Sequence, residues 1–166
     1  MNVRKRNNMS EPVFNEITAA GYHQIEQEIE DWKLQRPALI KALAEASALG
    51  DRSENAEYTS AKRDLRHLES RLHFLTKQLQ YSKIVAPTDN QIVEIGKYVT
   101  LEFVDDHDQV TYQIVGKQEA DIKVNKISLA SPLGSVLMGK TVNDTVTVQA
   151  PNTSYQVKIL VVTLKD

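Results

Sequence analysis

Residues 58–82, YTSAKRDLRHLESRLHFLTKQLQYS, carry Tyr58, Ala61, Leu65, Leu68, Leu72, Leu75 and Leu79 at alternating steps of three and four. That spacing keeps one apolar stripe on one helical face, the pattern of a coiled-coil seam. A matching stripe lies upstream: Tyr22, Ile25, Ile29, Trp32, then Arg36 as an interruption, then Leu39, Leu43 and Ala46. Folding the chain back pairs Ile25 with Leu79, Ile29 with Leu75, Trp32 with Leu72, Arg36 with Leu68, Leu39 with Leu65, Leu43 with Ala61, and Ala46 with Tyr58. Each pair of residue numbers has the same sum, which puts the apex of an antiparallel hairpin at Arg52. At a rise of roughly 1.5 Å per residue, each arm is on the order of 45 Å long. Trp32 and Leu72 make a large layer near the base, while alanines near the apex allow close approach and a thinner distal end. At the seam, the stem of Arg36 can pack while its guanidinium reaches outward. Pro37 removes one helical hydrogen bond, so a kink or short break is expected beside it.

The heptads stop after Leu79, and Ala86-Pro87-Thr88-Asp89-Asn90 reads as a linker. Alternation then takes over. Tyr98–Val104 and Val110–Val115 read as strands around the acidic turn Asp105-Asp106-His107-Asp108, and Thr145–Gln149 and Tyr155–Val162 as a closing hairpin. Ser131-Pro132 reads as an N-cap with proline at the first helical position, opening a short helix toward Met138 and Gly139. The fold class expected is therefore α+β in two domains. Residues 1–13 form a disordered tail, 14–84 the coiled-coil hairpin, 85–92 a linker and 93–166 a small α+β domain.

Composition sets outer bounds. The formal charge of −2, from 20 Lys+Arg against 22 Asp+Glu, argues against a protein that holds nucleic acid mainly through phosphate contacts. The absence of cysteine excludes disulfides, thiolate metal sites and thiol nucleophiles, and a reducing cytoplasm is the expected setting. The start, MNVRKRNNMS, is basic without an apolar stretch behind it and does not read as a secretory signal. No run is long and apolar enough to span a bilayer, so no membrane partner is expected.

Gly50-Asp51-Arg52-Ser53-Glu54-Asn55-Ala56-Glu57-Tyr58 occupies the apex. Asp51 and Glu54 stand at capping-box spacing, and Gly50 suits a helix end, so spacing alone allows a purely structural turn. Lys62, Arg63 and Arg66 follow on the second helix, either as a solvated face or as a phosphate-attracting one. The histidines are scattered: His23, His67 and His73 lie off the seam. His107 sits in the acidic turn, which lacks the glycine and distal glutamate of an EF-hand.

GDRSENAEY at such an apex resembles the tip of the Gre-family transcript cleavage factors. ITAAGYHQIEQEI (residues 17–29) resembles the start of that family's first helix, and NKISLASPLGSVLMGK (residues 125–140) its signature in a C-terminal domain of FKBP-like fold. The likeness runs along nearly the whole chain from Ile17 and leans to the GreA branch rather than GreB. It implies a factor that binds bacterial RNA polymerase through the C-terminal domain and passes the coiled coil down the secondary channel. There it stimulates the polymerase's own cleavage of backtracked RNA. By family matching, Asp51 and Glu54 are the catalytic, metal-facing pair, holding Mg²⁺ shared with the polymerase active centre and not stably bound by the free protein. Lys62 falls at a matching position of the family's basic patch, and Lys62 and Arg63 are candidates to contact the 3′ end of the backtracked RNA. Ser47 departs from the pattern, which can place a basic residue there. Asn55, Glu57 and Tyr58 are expected to order the tip, with Tyr58 also in the seam. The free protein is expected to be a monomer and no nuclease by itself. Alternatives are a channel-binding regulator without cleavage stimulation, an FKBP-like isomerase or chaperone with a coiled-coil arm, and a coiled-coil tether. The isomerase would want an aromatic-lined pocket from Tyr98, Phe103, Tyr112 and Tyr155.

Overall fold

A computed structural model describes residues 14–50 and 55–165; the tail expected over residues 1–13 lies outside these. Two long helices come first, α1 (Ala19–Ser47) and α2 (Ala56–Gln80), flanked by the short strands β1 (Asn15–Ile17) and β2 (Ser82–Ile84). The helices are antiparallel, because the first half of α1 packs on the second half of α2 and the end of α1 meets the start of α2. Glu28 meets Arg71 at 2.7 Å, Trp32 meets the His67 ring edge-on at 5.8 Å, and Arg36 meets Glu69 at 2.7 Å. The seam residues bury as the heptads require: Ile25, Ile29, Leu68 and Leu75 are buried, with Tyr22, Trp32, Leu72 and Leu79 packed beside the basal cluster. At 29 residues, α1 is about 44 Å long.

Pro37 does not break the arm. The helix α1 is continuous through it, so of the kink or short break expected there, the break does not occur. Pro37 and Lys33, whose carbonyl loses its partner, are both exposed, so water can serve that carbonyl. Arg36 behaves as its seam position suggests, with the guanidinium turned out to Glu69 and half exposed.

The base of the arm is closed by strands that sequence periodicity did not reveal. Asn15, Glu16 and Ile17 pair in parallel with Ser82, Lys83 and Ile84, tying the two ends of the hairpin together. Ile17 is fully buried against Ile25, Ile29 and Leu75.

The C-terminal sheet has strand order β5-β4-β3-β7-β6, built from β3 (Tyr98–Phe103), β4 (Gln109–Val115), β5 (Lys126–Ser128), β6 (Thr145–Ala150) and β7 (Thr153–Thr163). Only β5 runs parallel to its neighbour, β4. Alternate residues Val99 and Leu101, Val146 and Val148, and Val157 and Ile159 point into the core, which Leu137 of helix α3 (Pro132–Leu137) completes. Ser131 caps α3 by accepting from the Gly134 N–H at 3.0 Å, with Pro132 opening the helix. Two 3-10 turns, Lys117–Glu119 and Ile122–Val124, link β4 to β5.

The segment joining hairpin and sheet is held along its length. The Val85 N–H donates to the Ile17 carbonyl at 3.0 Å. Fully buried Lys97 donates through Nζ to the Asn90 carbonyl (2.9 Å), Asn90 Oδ1 (2.7 Å) and the Ile92 carbonyl (2.7 Å). Thr88 donates through its backbone N–H and its hydroxyl to Glu94, and these two bonds hold the Glu94 carboxyl below its ordinary range.

Candidate functional site

Helix α1 ends with Ala48 as its C-cap, and the chain then turns at Gly50, whose φ of 114° lies in the left-handed region. On the far side, Asn55 is the N-cap of α2: its Oδ1 accepts from the Tyr58 N–H at 3.1 Å. Its amide nitrogen donates to the Ala46 carbonyl at 2.8 Å, so one side chain starts the second helix and fastens it to the end of the first. The capping-box expectation for Asp51 and Glu54 is thereby corrected. The helix opens at Ala56, and Asn55 holds the capping position. Asp51, Arg52, Ser53 and Glu54 themselves, with the expected apex at Arg52, lie outside the described residues.

Beyond the apex, Glu57 is exposed in the first turn of α2, where a carboxylate suits the positive end of the helix dipole. Tyr58 is half buried in the seam, and the Lys62 ammonium lies 5.9 Å from its ring centroid. Lys62 and Arg63 are both exposed, about two turns into α2, and Arg63 donates to the Ser60 hydroxyl at 3.3 Å and lies 3.7 Å from Asp64. The two cations therefore stand on the exposed face of the first two turns of α2. Sequence reasoning did not single out the Ala46 carbonyl as a partner. The signal for it was the placement of Ala46 opposite Tyr58 in the seam, which brings the last turn of α1 beside Asn55.

Elsewhere, the acidic turn is organised by local bonds. The His107 ring faces Glu102 at 3.3 Å, and Asp106 accepts from the Asp108 N–H at 3.1 Å. Among the described residues, no three His, Asp or Glu side chains gather closely enough to hold a metal ion. The aromatic residues that an isomerase pocket would need are engaged in packing: Phe103 and Tyr155 lie 5.7 Å apart, and both, with Tyr112, pack on the sheet core. No helix among the described residues is long and apolar enough to cross a membrane.

A long antiparallel coiled-coil arm, anchored at its base to a five-stranded α+β domain and carrying a short turn at its far end, defines a class of protein that presents its tip at a distance. Residues 15–84 match the family model for the N-terminal domain of the transcription elongation factors, and residues 88–164 match the model for the C-terminal domain of GreA/GreB. The chain belongs to the GreA/GreB family of transcription elongation factors. It is 66% identical over 152 residues to transcription elongation factor GreA 1 of Lactiplantibacillus plantarum, covering 92% of this chain and 97% of the relative. It is 44% identical to the transcription elongation factor GreB of Pseudomonas aeruginosa, covering 81% of this chain and 82% of that one. Among solved structures it is similar to the GreA factor homolog 1 (Gfh1) protein of Thermus thermophilus, at 24% identity, 90% and 98% coverage and a TM-score of 0.42.

Proposed function

We propose that this chain stimulates the cleavage of backtracked RNA by a bacterial RNA polymerase, and that Asp51 and Glu54 are the residues it contributes to that reaction. The observation that supports this reading most is the family match across both domains, on an arm whose apex carries two carboxylates that α2 does not need as caps. In this reading the C-terminal domain docks on the polymerase and the arm enters its secondary channel. The donor set fits Mg²⁺, which takes oxygen ligands and often uses only one or two protein carboxylates. Asp51 and Glu54 would hold that ion together with ligands from the polymerase active centre, and the chemistry it would supply, alongside a second ion, is activation of a water and stabilisation of a leaving oxygen. Two carboxylates on a solvated turn bind such an ion weakly alone, so the free chain is no nuclease. Lys62 and Arg63 attract the phosphates of the extruded 3′ segment, and Asn55 holds the turn in register. The protein works as a monomer in the cytoplasm.

The test is a cleavage assay on stalled bacterial elongation complexes, with and without the protein. Addition should release short 3′ fragments and restore elongation. Asp51→Ala or Glu54→Ala should abolish stimulation, and polymerase binding should persist in both. Cleavage at the unsubstituted rate by either variant would show that its carboxylate does not face the metal. Binding with no stimulation by the unsubstituted chain would instead mark a regulator that only occupies the channel.

A further inference from the structure

We propose that Glu119, on the C-terminal domain, is the positioning residue that sets the aim of the arm. Its carboxylate completes the N-terminal cap of α1 from outside the arm. Thr18 is the N-cap of α1, and its hydroxyl accepts from the Gly21 N–H at 3.0 Å. In a capping box, the third helical residue would be a glutamate or glutamine reaching back to the N-cap N–H. Here that residue is Gly21, and α1 has no acidic residue in its first turn. Glu119 supplies the missing half: its Oε2 accepts from the Thr18 N–H at 3.0 Å, and its Oε1 accepts from the Thr18 hydroxyl. A Cβ on Gly21 would overlap the Glu119 carboxyl, so the glycine is the space into which this side chain fits.

The same Oε2 accepts from the Gly116 N–H at 2.9 Å, the N-cap of the 3-10 turn Lys117–Glu119. One oxygen therefore bridges the starts of two helical segments, one in each domain. The approach is close all round, since a Cβ on Gly116 would lie 2.6 Å from the Glu16 carbonyl oxygen. Among the described residues, both hydrogen bonds running from residues 14–84 to the C-terminal domain end on this carboxylate. The lever makes that position consequential. A tilt of about 5° at the base of a 44 Å arm moves its far end by about 4 Å, against metal–ligand distances of about 2 Å.

The activity readout rests on the cleavage reading above; the geometric readout does not. The chain has no cysteine, so Lys41→Cys on the arm and Asp106→Cys on the sheet domain, both exposed, accept a pair of spin labels in the full-length free protein. The labelled parent should give a narrow distance distribution, and Glu119→Ala should broaden or shift it. The maximal rate of stimulated cleavage should fall by about tenfold to a hundredfold, as a misplacement of an ångström or more can do. The concentration giving half-maximal stimulation should change less than about twofold, within a few tenths of a kcal/mol. Gly21→Glu combined with Glu119→Ala separates aim from capping. It restores a capping box within α1, so thermal stability should recover, while the distance distribution stays broad and cleavage stays low. If this double variant regains both a narrow distribution and the parental cleavage rate, Glu119 is only a helix cap and the proposal fails. An unchanged distribution in Glu119→Ala would overturn it equally. Should Glu119→Ala not fold, Gly21→Ala, which evicts the carboxyl by overlap, must give the same broadening. A parent chain that does not stimulate cleavage would sink the functional reading, while the distances would still decide the role of Glu119.

Discussion

Asn55 has one side chain and two duties, and they can be separated by substitution. Its oxygen caps α2 at the Tyr58 N–H, and its nitrogen holds the Ala46 carbonyl. Asn55→Ala removes both, which costs about 1 kcal/mol for the cap and about 0.5–1.5 kcal/mol for the second bond, since the Ala46 carbonyl still accepts from the Leu49 N–H at 3.3 Å. Asn55→Asp keeps the cap and loses only the donor. Hydrogen exchange should therefore quicken at the Tyr58 and Thr59 amides in Asn55→Ala, and remain slow at Tyr58 in Asn55→Asp. Equal protection in the parent and Asn55→Ala would show that the bond at Tyr58 is not what starts the helix. Local spacing suggests a cap at Asp51, and Asn55 is expected only to order the tip. The seam decides, because Tyr58 must face α1 and stands three residues after Asn55. The chemistry proposed for Asp51 and Glu54 rests on family resemblance, since a carboxylate pair near a turn has the same local pattern whether it caps a helix or holds an ion.

At the scale of elements, what could be read depended on whether an element is specified by its own residues or by distant partners. The hairpin repeats its apolar spacing over many turns, and its two halves must agree with each other, so the fold of residues 19–80 was readable directly. Strands β1, β2 and β5 have three residues each, too few for alternation to show, and they exist because a neighbour pairs with them. Pro37 was misleading for a related reason: one lost bond in an exposed turn is small beside the packing of the remaining seam. That packing is measurable. Leu75 is 1% exposed within the basal cluster of Ile17, Ile25 and Ile29. Leu75→Ala should destabilise the chain by about 2–5 kcal/mol in urea unfolding. Ile40→Ala, at 48% exposure on the same arm, should stay within about 0.5 kcal/mol. Similar losses at both positions would mean that the seam is not the source of the arm's stability.

For the whole molecule, the proposed mechanism makes length the decisive quantity, because a tip that shares an ion with another protein has to arrive at one depth. Inserting a heptad into each helix, after Ile29 in α1 and before Leu75 in α2, preserves both stripes and their pairing. It leaves Thr18 on Glu119 at the base and Ala46 on Asn55 at the tip, and changes side-chain facing by only about 20°. The arm grows by about 10 Å. Labels placed on either side of the insertion in the free protein should report that increase, which establishes that the longer hairpin has formed. Polymerase binding through the C-terminal domain should then persist while stimulated cleavage disappears, because the carboxylates overshoot the position where the remaining ligands stand. A tether or a chaperone arm tolerates a change of reach, so cleavage retained by the lengthened protein would mean that the tip does not act at a fixed depth. Lengthening one helix alone serves as the contrast: the stripes no longer meet, and stability should fall along with activity. Loss of activity with stability intact is the result that ties the seam, the latch at Glu119 and the two carboxylates into one measuring device.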